Sequence, residues 1–171
     1  MTMRLLIYAV LLVVFECTYL YFNVSYSLSD LKNYTDSLLA AAGMVFTIMG
    51  IWIAFLYPNA LKRIVDQETV KVADFSETLS ETKRLEQIVA SVLKSGLTII
   101  FVLSLYLAKV IFSHTQFYTV HAPIFKATAL AGITLMSWIQ VESIFSVVVA
   151  NIMFINDLHK KREDRQMDSE I

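Results

Sequence analysis

Two carboxylates, Glu16 and Glu142, stand inside long apolar runs of this chain. Glu142 lies near the middle of its run, with Gln140, Ser137, Ser143 and Ser146 close by. An ionised carboxylate at the centre of a bilayer costs roughly 2.5–3.5 kcal/mol on insertion scales, so a chain keeps one only if it is protonated, paired or facing water. Two chemistries fit. One is a proton or ion path, or a sensing element, that uses Glu142 and Gln140. The other is an interhelical hydrogen bond that fixes helix register, worth ~0.6–2 kcal/mol, and it asks less of a small protein. Lys109 is a cation inside another apolar run, and a Glu16–Lys109 pair is the expected way to neutralise both. Metal and enzyme chemistry find no residues. His114, His121 and His159 are scattered and Cys17 is the only cysteine, so no ligand set forms at metal spacing and no internal disulfide can. There is no Gly-rich phosphate loop, nucleophile elbow or HExxH helix. The expectation is a non-enzymatic protein without a cofactor.

The surrounding elements follow from composition. Of 171 residues, 57% are hydrophobic and 17% charged, against roughly 45–50% and roughly 25% in soluble domains. Mean hydropathy is +0.61. A fold of this size could not bury so much apolar surface in water. Four runs carry the excess, at about 5–22, 38–57, 95–113 and 127–155. A helix needs ~20 largely apolar residues to cross the hydrocarbon core, and no run alternates with the period of two that a barrel strand requires. The expected fold is all-α: a single integral membrane domain of four transmembrane helices over residues 1–171. The first run has a basic start but no small-x-small site after it, so it is expected to stay as an uncleaved span.

Charge sets orientation. Arg4, Lys62, Arg63, Lys71, Lys83, Arg84, Lys94, Lys160, Lys161, Arg162 and Arg165 fall on one side; Lys32, Lys109 and Lys126 fall on the other. The positive side should be cytoplasmic, which leaves both termini inside and short outer loops at about 23–37 and 114–126. Pro58 is expected to end span two and to open a cytoplasmic segment of about 58–94. There Asp74 and Glu77 read as a capping box, and Phe75, Leu79, Leu85 and Val89 mark an apolar stripe that runs without a breaker into span three. The third span should therefore carry a helical cytoplasmic extension. Its stripe covers either the other helix of its own segment, or a neighbouring subunit or soluble partner. In span two, Gly43, Thr47, Gly50 and Ala54 form a small-residue face, suited to packing within the bundle and to self-association. The tail, about 156–171, mixes both signs of charge. A formal charge of −1 gives no reason to expect direct nucleic-acid binding.

The size, the four-span plan with both ends inside, the helical middle segment and the stretch GIWIAFLYPNALKRIV (Gly50 to Val65) resemble the KwaA membrane subunits of the bacterial Kiwa anti-phage defence system. The resemblance implies a multi-pass protein of the bacterial inner membrane that assembles as a homo-oligomer, a tetramer. It would detect infection at the envelope and act with a cytosolic DNA-binding partner, KwaB. The residues alone support a less specific version: an oligomeric membrane scaffold or sensor that works through its cytoplasmic helix. The rival is a small oligomeric channel whose pore is lined by the polar fourth span.

Overall fold

Long apolar stretches with few glycines and prolines have one way to satisfy every backbone group locally, which is to form helices. The computed structural model describes residues 2–65, 75–113 and 115–169, and among them the regular elements are four helices and no strand. These are α1 (Thr2–Tyr21), α2 (Leu28–Val65), α3 (Phe75–Phe112) and α4 (Gln116–Ser169). Asp74, half of the expected capping box, lies outside the described residues.

The ends of the helices show why they are longer than hydropathy suggests. α1 closes on Asn23 in the left-handed conformation, φ 46°. Val24 N–H donates to the Tyr19 carbonyl and Asn23 N–H to that of Leu20, which satisfies the last carbonyls of the helix. The chain then turns within a few residues. Ser27 caps α2: its hydroxyl accepts from Ser29 N–H at 3.2 Å, and its carbonyl receives Leu31 N–H. Thr115 caps α4 in the same way, its hydroxyl accepting from Tyr118 N–H at 3.3 Å. The outer loops expected at 23–37 and 114–126 are therefore mostly helix. α2 also continues past Pro58 to Val65, where the sequence suggested a stop. A proline removes one backbone bond but need not end a helix whose other residues favour it. Within α4, Pro123 cannot supply an N–H to the preceding turn, and the backbone departs from helical values at His121 (φ −110°, ψ 20°).

The chain divides into two compact units. The first comprises Met1–Met44 with Lys94–Val141, and the second Val45–Leu93 with Glu142–Ile171. In the first, Leu38, Val102, Ile133, Leu135, Met136 and Ile139 form the core, with Leu11, Leu12, Phe101 and Leu105 packed on it. In the second, Val45, Met49, Ile88, Val147 and Ala150 form the core, bordered by Trp52, Ile53 and Val92. The Trp52 and Phe154 rings meet edge to face at 4.7 Å.

Polar side chains share the interior with these cores, and large apolar side chains cover much of the surface. In the first unit Thr35, Ser95, Thr98 and Gln140 are buried, while Val10, Val13, Ile100, Leu107 and Trp138 are exposed. In the second Ser91 and Ser143 are buried, and Phe46, Leu93 and Phe145 are exposed. Among the described residues, three stretches are long and apolar enough to cross a membrane: Leu28–Ala54, Leu85–Phe112 and Tyr118–Asn156. The apolar part of α1, Leu6–Tyr21, is shorter.

Candidate functional site

In the first unit, α4 is the helix that the others bond to. Its polar residues recur at intervals near one or two turns, so they present hydroxyl and amide groups repeatedly to the neighbouring helices. Towards α1, Thr128 Oγ1 donates to Glu16 Oε1 at 2.6 Å, and two turns further the hydroxyls of Thr134 and Tyr19 lie 2.9 Å apart. Towards α2, Tyr34 Oη donates to Ser137 Oγ at 2.8 Å. Towards α3, Gln140 Nε2 donates to Ser95 Oγ at 3.4 Å. Gln140 is 1% exposed, and its Oε1 is buried with no hydrogen-bond partner. Elsewhere in this unit the hydroxyls of Thr35 and Tyr106 join α2 to α3 in a hydrogen bond.

The expected Glu16–Lys109 pair does not form. Glu16 and Tyr19, three residues apart, share the face of α1 that turns to α4, and the Thr128 hydroxyl takes up the carboxylate. Lys109 is exposed near the end of α3.

Lys109 instead lines a cavity of about 410 Å³ in the first unit. α1 contributes Leu12, α2 contributes Leu28 and Leu31, α3 contributes Phe101, Leu105 and Phe112, and α4 contributes Tyr118, Phe125, Lys126 and Gly132. The inner wall is close-packed: Gly132 is buried, and a Cβ at that position would run into the Phe101 ring. At the other end Tyr26 Oη donates to the Lys126 carbonyl at 3.1 Å. Burial holds the Tyr26 hydroxyl above its ordinary pKa, and Tyr118 adds to the effect. Tyr26 therefore stays a neutral donor at physiological pH.

In the second unit, Ser143 Oγ donates to the Ser91 carbonyl at 3.0 Å and so ties α4 to α3. Glu142 is half-buried, and its carbonyl accepts from Ser146 Oγ at 3.0 Å. Two residues are about 200° around a helix, so Glu142 and Gln140 do not share a face of α4.

The remaining sequence candidates fall as follows. The side chains of Phe75 and Leu79 lie outside the described residues. Leu85 is half-buried and Val89 is 38% exposed, whereas Ile88, one residue away, is 2% exposed in the core of the second unit. In α2 the inward positions are Leu38 and Ala42 in the first unit, and Val45 and Met49 in the second. The small-residue face is not among them. A Cβ added at Gly43 or Gly50 would meet nothing within 4 Å, and Thr47 and Ala54 are exposed. The bonds from Thr128, Thr134 and Ser137 were the missed feature. Their signal was polar residues spaced about two turns or less apart along one helix. Among the described residues, no group of His, Cys, Asp or Glu could hold a metal ion.

No family model, curated protein or solved structure matches this chain.

Proposed function

We propose that the chain is a non-enzymatic, multi-pass membrane subunit that self-associates and reports a change in its helix packing to a soluble partner, in the manner of KwaA. The observation that carries this reading is the extent of exposed apolar surface around an interior that also holds polar side chains. Gln140, Thr98, Ser91, Ser95 and Ser143 are fully buried beside Met49, Ile88, Ile133 and Val102, while many large branched and aromatic side chains face out. Lipid is the solvent that makes such an arrangement favourable, because apolar side chains gain nothing by leaving it whereas unpaired polar groups do. α1 supplies the fourth crossing. Its 20 residues extend about 30 Å; the apolar Leu6–Tyr21 covers about 24 Å of this, a mismatch that local thinning and snorkelling of flanking residues can absorb. With four crossings the segments at 58–94 and 156–171, which carry most of the Lys and Arg residues, lie in the cytoplasm of a bacterium, beneath the inner membrane. The open face of Gly50, Thr47 and Ala54 supports self-association. The docking role is proposed for the part of α3 that precedes Leu85–Phe112 and for the first turns of that stretch at Val89, and a KwaB-like DNA-binding protein is the partner proposed for it. The channel alternative needs Gln140 to face water, whereas its packing against Ser95 keeps it inside the subunit.

The test is co-purification from cells of origin, with L79D/V89D compared to the unaltered protein. Both proteins should insert in the membrane to the same extent, and the variant should lose the soluble partner. Unchanged recovery of the partner overturns the docking role. Conductance in planar bilayers abolished by Glu142→Ala, without any stable partner, would favour the channel.

A further inference from the structure

The cavity of the first unit has a polarity that the scaffold role does not use. Its lining carries two cations, Lys109 and Lys126, and no acidic side chain. The cations belong to one end. Lys109 is three residues before the end of α3 at Phe112, and Lys126 is near the start of α4. From there the walls are apolar apart from Ser104 and Thr128. Phe101 lies eight residues deeper along α3, about 12 Å, and Gly132 lies six residues deeper along α4, about 9 Å. At that depth Phe101 packs closely on Gly132 and narrows the space. A dry apolar cavity of ~150 Å³ already takes up benzene, and the ~410 Å³ here falls within the ~300–1,000 Å³ usual for small-molecule sites.

We infer that this cavity binds a single-chain anionic amphiphile, a long-chain fatty acid. Its carboxylate sits between the Lys109 and Lys126 ammonium groups, and the Tyr26 and Tyr118 side chains lie at the same end. Its alkyl chain runs inward along Leu31, Leu105 and Phe101 towards Gly132. Charge complementarity selects the acid head, and the ~12 Å between Lys109 and Phe101 takes up the first part of the chain, the rest lying along the open side of the groove. The Glu16 carboxylate accepts from the Thr128 hydroxyl on this wall and is not itself a lining residue. The inference rests on the membrane reading but not on the partner or on oligomer number.

The experiment uses the full-length protein in nanodiscs of neutral phosphatidylcholine, with the fluorescent fatty acid cis-parinaric acid and its methyl ester as probes. The unaltered protein should bind the acid saturably, one molecule per chain, and oleate should displace it. K109Q/K126Q changes two exposed side chains and should weaken binding of the acid at least tenfold while leaving the ester unaffected. Ala108→Trp, at an exposed position on the cavity wall, should weaken acid and ester alike. The inference is overturned by the absence of saturable binding, by equal binding of the acid to the lysine variant, or by displacement with phosphatidylglycerol but not with oleate. None of these outcomes bears on partner recovery, so the two proposals fail separately.

Discussion

Gln140 is the least satisfied side chain described in the molecule, and that makes it informative. Its amide nitrogen reaches Ser95 at 3.4 Å, longer than a strong hydrogen bond, and its amide oxygen is buried without a partner. A lost hydrogen bond and an orphaned polar group cost different amounts. Removing one partner of a buried pair leaves the other desolvated, at about 1–3 kcal/mol, while replacing both by apolar groups is close to neutral. Ser95→Ala alone strands the Gln140 nitrogen and should destabilise the protein by about 1–3 kcal/mol. The S95A/Q140M double variant should recover most of that loss, because it removes the orphaned oxygen as well as the nitrogen. Unfolding in mixed micelles, followed by circular dichroism as the denaturing detergent fraction rises, measures both. A double variant as unstable as the single would mean that Gln140 is satisfied in a way that the Ser95 contact does not capture.

At the scale of the helix, α2 has two faces with different duties. Leu38 and Ala42 in the first unit, and Val45 and Met49 in the second, point inward. About 100° round lie Gly43 and Gly50, where an added Cβ would touch nothing. Replacing Gly50 by isoleucine should therefore leave helix content and monomer stability within about 1 kcal/mol, since glycine itself is a poor helix former. If the chain self-associates through this face as proposed, the same substitution should lower the subunit number, because close backbone approach needs small residues. Mass measurement of the protein in detergent reads the subunit number, and an unchanged oligomer would remove this face from the assembly. That face was legible in the spacing of Gly43, Thr47, Gly50 and Ala54; what periodicity could not tell was whether it turned inward or outward. The all-helical plan was legible for a plain reason, since apolar runs without turn residues have few other options. Helix ends were not, because they depend on single residues: Asn23 in a left-handed cap, Ser27 and Thr115 as hydroxyl caps. Nor was the partner of Glu16 legible. Depth along the spans matched it with Lys109, but azimuth decides which helix a side chain meets, and Glu16 meets α4.

For the whole molecule the open physical matter is α1. Three other helices carry apolar stretches of 27, 28 and 39 residues, and their crossing is cheap. α1 has 20 residues and contains Glu16. Its carboxylate lies five residues before the end of the helix at Tyr21, about 8 Å in, and accepts a hydroxyl donor on α4. Both features reduce the cost of burying a carboxylate below that at the bilayer centre. Val10, Val13 and Val14 meanwhile stay exposed on α1, a surface that lipid would cover and water would not. α1 is therefore expected to cross, which places Thr2 and Ser25 on opposite sides. The chain contains one cysteine, Cys17, so Cys17→Ala supplies a cysteine-free background. In it, Ser25→Cys should react with a membrane-impermeant maleimide added to spheroplasts, and Thr2→Cys only after the membrane is opened. Gln166→Cys in the tail should behave like Thr2→Cys, because four crossings return the chain to its starting side. If Thr2→Cys and Ser25→Cys label from the same side, α1 lies against the bundle without crossing. The count of spans then becomes three, and the two ends of the chain face different compartments.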